Sequence, residues 1–194
     1  IFGDVKLRED SKAKGRWETN HGGEYFAAGV GGSITGRGAD LLIIDDPHTE
    51  QDSMSDTAMD RTYDWYSSGP RQRLQPGGRI VVVMTRWATD DLTGRLVKAQ
   101  TEPKADKWNV IEFPAVMPNG SPVWPEYWSK EDLDSVKASI STKNWNAQYM
   151  QDPTSEEGAI IKREWWQDYD KEYLPKLLHV IQSYDTAFSA KETS

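Results

Sequence analysis

The sequence predicts an α/β protein built on a parallel sheet, and two aliphatic runs with a helical stretch between them carry that prediction. Leu41-Leu42-Ile43-Ile44 runs straight into Asp45-Asp46-Pro47, and Ile80-Val81-Val82-Val83-Met84 runs into Thr85-Arg86-Trp87. Continuous apolar runs of this length, bounded by glycine or proline, are the pattern of strands buried on both faces. Residues 53–74 change to helical spacing, and strand–helix–strand alternation marks a parallel sheet with helices packed against it.

Composition narrows the class. The 194 residues suit one domain, or one domain and part of another. Nine Trp, eight Tyr and four Phe within 37% hydrophobic content are enough for a packed core. A net charge of -8 excludes a wholesale basic coat, so any nucleic-acid contact must come from local patches. The absence of cysteine excludes a disulfide framework and thiolate metal sites. No apolar run reaches transmembrane length, so no membrane partner is expected. The chain opens at Ile1 and closes at Lys191-Glu192-Thr193-Ser194, just after a predicted strand, which reads as an internal piece of a longer protein.

In order, residues 3–23 are polar and read as loop and turn, with a short extended piece near Gly15 to Thr19 and Trp17 as an anchor. Tyr25, Phe26 and Val30 predict a strand within 23–32, broken by Gly29-Val30-Gly31-Gly32-Ser33. No Gly-Lys-Ser/Thr follows those glycines, so they do not form a phosphate-cradling loop. Pro47 ends the acidic strand, because proline offers no N–H to a ladder and disfavours helix before it. A helix is predicted over 53–74, capped by Ser53 or Ser55, with Met54, Ala58, Thr62 or Tyr63, and Trp65-Tyr66 on one stripe. Pro70 and a Pro76-Gly77-Gly78 turn bound that unit.

Arg79 to Thr85 is the second buried strand. Thr89 or Asp90 caps a helix to about Gln100, and Trp108 to Phe113, closed by Pro114, makes a third strand. Residues 114–128 are rich in Pro and Trp and read as a lid or connector. Ser129-Lys130-Glu131-Asp132 has capping-box spacing and opens a helix to about Ser139. A second helical piece over 143–150 puts Trp145 and Tyr149 on one face. Residues 154–158 read as a linker that Trp165-Trp166 docks, and His179 to Ala187 is a last strand carrying Asp185. The expected organisation is a core over 1–115, a linker and helical subdomain over 116–175, and the start of another domain over 176–194.

The chemistry collects at strand ends. Asp45 and Asp46 lie at a strand's carboxyl end, where open α/β sheets bind ligands. One carboxylate can hold Mg²⁺ while the other orients the water that attacks a phosphoryl group. A polar turn after a core strand has the same pattern. Thr85 and Arg86 would sit beside the acids if the two strands are neighbours; alone they are a surface Thr-Arg turn. Arg37, between two glycines, is either a surface arginine or a guanidinium that grips phosphate bidentately. Asp185 is either an ordinary strand-end acid or the first acid of a metal-dependent nuclease centre.

Taken together, Thr35 through Pro47, Trp65-Tyr66, Arg73-Leu74 with Pro76-Gly77-Gly78-Arg79, and Met84-Thr85-Arg86-Trp87 with Asp90-Asp91-Leu92 and Gly94-Arg95-Leu96 resemble the large subunit of tailed-bacteriophage terminases. Trp124-Pro125-Glu126, Gln148 through Pro153, and Tyr184-Asp185-Thr186-Ala187-Phe188 continue the likeness in order, over nearly the whole chain. The resemblance implies a partial RecA-like P-loop ATPase sheet, a linker, and the first strand of a ribonuclease-H-like nuclease. It implies an ATP-driven motor that moves double-stranded DNA into procapsids and cuts concatemers, working with a small subunit and a portal protein in the bacterial host cytoplasm during phage assembly. The full-length protein would form a homo-oligomeric ring.

By the same resemblance Asp45 is the Walker B magnesium ligand. Asp46 stands where the family commonly has a water-activating glutamate. Thr85 and Arg86 form the coupling motif that senses the γ-phosphate, and Arg37 is an arginine finger acting on the neighbouring subunit. Asp185 is the first nuclease ligand for Mg²⁺ or Mn²⁺. The phosphate-binding loop would precede Ile1 and the other nuclease acids would follow Ser194, so the 194 residues by themselves are expected neither to hydrolyse ATP nor to cut DNA. The rival readings are another P-loop motor of helicase type and an inactive prophage remnant that keeps the fold.

Overall fold

A computed structural model describes residues 3–34 and 36–154. The predicted strand carrying Asp185, the Trp165-Trp166 pair and residues 155–158 of the linker lie outside the described residues. The fold is mixed α/β, with a small antiparallel sheet and a parallel pair of strands.

The antiparallel sheet replaces the loop expected over residues 3–23. It consists of β1 (Leu7–Ala13), β2 (Arg16–Thr19) and β3 (Glu24–Phe26) in that spatial order. The strand expected across 23–32 is therefore only three residues long. Cross-strand pairs hold the sheet: the Trp17 and Tyr25 rings stack at 4.8 Å, Arg8 bridges to Glu18 at 2.6 Å, and Arg16 to Glu24 at 3.2 Å. Each such pair contributes about 0.2–1 kcal/mol, so the sheet rests on side-chain pairing more than on burial.

The aliphatic runs form β4 (Ala39–Asp45) and β5 (Leu74–Val83), paired in parallel as expected. They are covered on one face and not on both. Ile44 is 4% exposed, whereas Leu41 and Ile43 are 56% and 61% exposed, an alternation that the unbroken run of aliphatics does not reveal. β5 also starts five residues early. Pro76-Gly77-Gly78 is no turn between elements but lies within the strand, where the register jumps from Ala39 opposite Leu74 to Leu41 opposite Arg79. Gly77 takes φ +81° there, a conformation that residues with a side chain rarely adopt.

The helix predicted over 53–74 divides into a 3₁₀ turn at Asp52–Met54, α1 (Asp56–Ser68) and a second 3₁₀ turn at Pro70–Arg73. Ser55 is the cap, its hydroxyl accepting from the Ala58 N–H. Gly69 and Pro70 stop the helix because proline cannot supply the next intrahelical N–H. α2 (Leu92–Ala99) is capped by Asp91, not by Thr89 or Asp90. α1 and α2 cover the buried face, where Ile44, Tyr66, Leu92 and Leu96 form a core joined by Leu42, Ile80 and Val82. Each fully buried leucine there contributes about 1.5–3 kcal/mol. Burial pushes the Tyr66 hydroxyl up to about 12.

The third strand expected at Trp108 to Phe113 does not form. The segment joins no ladder; the Trp108 N–H donates to Gln100 Oε1 at 3.1 Å, while Ile111 and Phe113 are 71% and 70% exposed. α3 (Lys130–Ser139) has the predicted capping box between Ser129 and Asp132. The following piece is a short turn, α4 (Thr142–Asn144), that opens into a π-helical turn at Trp145–Tyr149, with those two rings stacked at 4.9 Å. Among the described residues no helix is long and apolar enough to cross a membrane.

Candidate functional site at the ends of the paired strands

β4 and β5 are parallel and in register through Asp45 opposite Val83, so their carboxyl ends lie side by side. Just past them the chain is stitched across twice. The Asp46 N–H donates to the Val83 carbonyl at 2.9 Å, and the Asp46 carboxylate Oδ1 accepts from the Thr85 N–H at 3.2 Å. Asp46 adopts φ +40°, a region that aspartate tolerates better than most residues. Holding a non-glycine residue there costs about 1–3 kcal/mol, which the two bonds across the strand ends offset. Asp45 lies on the same face of β4 as the exposed Leu41 and Ile43, and it is itself exposed. Asp45, Asp46 and Thr85 therefore share one rim.

Arg86 reaches that rim only through its backbone. Its guanidinium turns back onto Asp91, with Nε at 2.9 and 3.1 Å from the two carboxylate oxygens, and Nη2 donates to the Ala88 carbonyl at 3.3 Å. Asp91 is fully buried and is the hub of the turn. It also accepts from the N–H groups of Trp87 at 3.0 Å and Gly94 at 2.9 Å. A Cβ at Gly94 would lie 2.0 Å from the Thr89 carbonyl oxygen, so only glycine lets α2 start this close to the turn.

His48 closes the circuit. It is 4% exposed, and its Nε2 accepts from the Leu92 N–H at 2.9 Å, so this nitrogen is unprotonated and satisfies an orphan donor at the start of α2. Nδ1 is buried without a protein partner among the described residues. Burial holds the imidazole below its ordinary value, partly offset by the Asp91 and Asp52 carboxylates and reinforced by Arg95. The unfolded chain therefore takes up this proton more readily than the folded one. Folding stability is expected to be full above about pH 6.5 and to fall as pH drops below it, by at most about 1.4 kcal/mol per pH unit for one proton. Urea unfolding at pH 7.5 and 5.5, compared with His48→Asn, isolates this slope; an unchanged slope in the variant would assign the pH dependence elsewhere.

Arg37 is not at the rim. It precedes β4, whose six residue steps from Ala39 to Asp45 span about 20 Å. Its guanidinium donates to Glu24 and lies 4.5 Å from the centre of the Phe26 ring. Asp185 lies outside the described residues. Among the described residues no three metal-ligating side chains converge. The Asp45 and Asp46 pair still suits Mg²⁺, which binds through one or two carboxylates and fills its other positions with water and substrate phosphate.

Sequence reasoning passed over Asp91 and His48. The Asp-x-x-Gly spacing of Asp91 and Gly94 is a capping signal, but the adjacent Asp90 masks it. His48 carries no signal beyond its place after Pro47. No family model matches the chain, and no curated protein matches it.

Proposed function

We propose that this chain is part of a terminase-like DNA-packaging motor, with a RecA-like P-loop core in which the Asp45, Asp46 and Thr85 rim faces Mg·ATP. The observation that supports the reading best is the Thr85 N–H donated to the Asp46 carboxylate across the ends of two parallel strands. That bond puts the acidic pair and the start of the candidate coupling motif at one edge. The ordered likeness to terminases supplies the substrate class, double-stranded DNA, and the partners, a small subunit and a portal protein.

In this reading Asp45, exposed beside the strand end, holds the metal. Mg²⁺, when bound, offsets the charge that develops on the β- and γ-phosphates. Asp46 has one oxygen tied to Thr85, which leaves the other to orient the attacking water. Thr85 senses the phosphate edge, and Arg86, committed to Asp91, transmits a shift of Thr85 into α2. Catalysis is then mostly positioning and charge stabilisation. Asp185 would open the nuclease centre for Mg²⁺ or Mn²⁺.

The test is a chain extended upstream to include a phosphate-binding loop. Asp45→Ala in that chain is expected to lower Mg²⁺-dependent ATP hydrolysis by at least about a hundredfold. An unchanged rate would remove Asp45 from the site and with it the motor reading. The 194 residues alone are expected to turn over no ATP above background, and turnover abolished by Asp45→Ala in that chain would overturn this.

A further inference from the structure

A cleft is joined to the rim through the Arg86 N–H, which donates to Gln151. Phe113, Trp124, Trp128 and Tyr149 line this cleft of about 190 Å³ together with Gln148 and Gln151. Its rings are held in place by neighbours. Trp124 stacks on Tyr127 at 5.0 Å, Tyr127 meets Trp128 edge-on at 5.5 Å, and Tyr149 stacks on Trp145. Backbone bonds tie the walls together, from the Ala115 N–H to the Tyr149 carbonyl at 2.7 Å and from the Val123 N–H to the Ala115 carbonyl at 2.9 Å. Yet Trp124 remains 58% exposed and Phe113 70% exposed. Large rings ordered in advance and left open to water are ready to stack on a flat ligand at little further entropic cost.

The cleft is joined to the rim through one side chain. Gln151 sits at φ +58° just after the π-helical turn, a pairing of unusual backbone features that gathers at functional positions. Its Oε1 accepts from the Arg86 N–H at 3.4 Å, and its Nε2 donates to the Gln148 carbonyl at 2.8 Å. Arg86 follows Thr85, whose N–H is on Asp46. The Gln148 side-chain amide has no protein partner among the described residues, and a glutamine amide matches the paired donor and acceptor on the N6/N7 edge of adenine. Among the described residues no cationic side chain lines the cleft to grip phosphate.

We infer that this cleft is the base-stacking subsite for the purine of a nucleotide whose phosphates lie at the Asp45 and Asp46 rim, an inference that rests on the nucleotide reading above. Trp124 is the stacking platform and Gln148 reads the base edge. Gln151 joins occupancy of the cleft to the backbone of the Thr85-Arg86 turn. A nucleic-acid strand is a poorer occupant, because a chain of net charge -8 whose described residues put no cation in the cleft does not attract a phosphate backbone. An extended proline-rich peptide would need a run of adjacent grooves; the cleft suits a single ring system.

The experiment uses the 194-residue chain, with the tryptophan indole signals followed by NMR during titration with adenosine, uridine, Mg·ATP and a proline-rich peptide. Adenosine is expected to shift the Trp124 and Trp128 signals. Trp124→Ala, with an unchanged far-UV circular dichroism spectrum as the check on folding, should weaken adenosine binding by about tenfold or more. Gln148→Ala should narrow the preference for adenosine over uridine. Indole signals unmoved by adenosine, unchanged affinity in Trp124→Ala, or shifts with the peptide alone would overturn the subsite. In the chain extended upstream to include a phosphate-binding loop, Mg·ATP is expected to bind tighter than adenosine, and Asp45→Asn should remove that gain. If Mg·ATP binds no tighter than adenosine in that extended chain, the rim assignment falls while the purine site is supported.

Discussion

Asp91→Ala is expected to destabilise the chain by about 3–5 kcal/mol, a large share of the stability of a domain this size. The reason is local. Asp91 is fully buried and faces the Arg86 guanidinium, whose side chain is only 17% exposed. Removing the carboxylate leaves a largely buried cation without its partner, which costs far more than the loss of a surface ion pair. The same substitution strips acceptors from the Trp87 and Gly94 N–H groups and uncaps α2. Urea unfolding followed by tryptophan fluorescence measures the loss. Pairing the change with Arg86→Met should recover part of it, since the orphaned charge then goes too. A loss below about 1 kcal/mol would mean that water reaches Arg86 and that Asp91 is not the hub. The prediction reaches function because Arg86 follows Thr85: a turn that loosens there also loosens the Thr85 N–H on Asp46.

What could be read in the sequence, and what could not, follows from how local each signal is. The aliphatic runs ending in Asp45-Asp46 and Thr85-Arg86 announce strands and their ends, and parallel pairing of the two strands then puts Asp45, Asp46 and Thr85 on one rim. Coverage of the faces is a tertiary property. Leu41 and Leu42 are chemically alike, yet one is exposed and the other half-buried, because α1 and α2 cover only one side. The Trp108 to Phe113 run has the composition of a strand, but an apolar run names neither a ladder partner nor a covering layer, and here Ile111 and Phe113 stay exposed. The β1–β3 sheet fails in the opposite sense. Its strands lack apolar alternation and cohere through Arg8–Glu18, Arg16–Glu24 and the Trp17–Tyr25 stack, all invisible until the register is known. Arg86 shows the same limit at the site, since the spacing that offers it to a phosphate equally offers it to Asp91, and only the buried geometry decides.

Arg37→Ala is expected to lower ATP turnover by about 10³–10⁵ in an assembled ring whose subunits carry a phosphate-binding loop, with nucleotide affinity nearly unchanged. About 20 Å of β4 separates Arg37 from Asp45, well beyond an arginine's reach, so a finger role for Arg37 requires the rim of another subunit. In the single chain it rests on Glu24 and Phe26, and an exposed pair of this kind holds it by only about 0.2–1 kcal/mol. A neighbouring phosphate, held bidentately, would outcompete that contact. Mixing subunits carrying Arg37→Ala with subunits carrying Asp45→Ala separates the possibilities. In a mixed ring, a subunit that keeps Arg37 can face a neighbour that keeps Asp45, so part of the activity returns. An arginine working on its own subunit gives no recovery, and equal loss of affinity and turnover in Arg37→Ala would make it a binding residue instead of a finger.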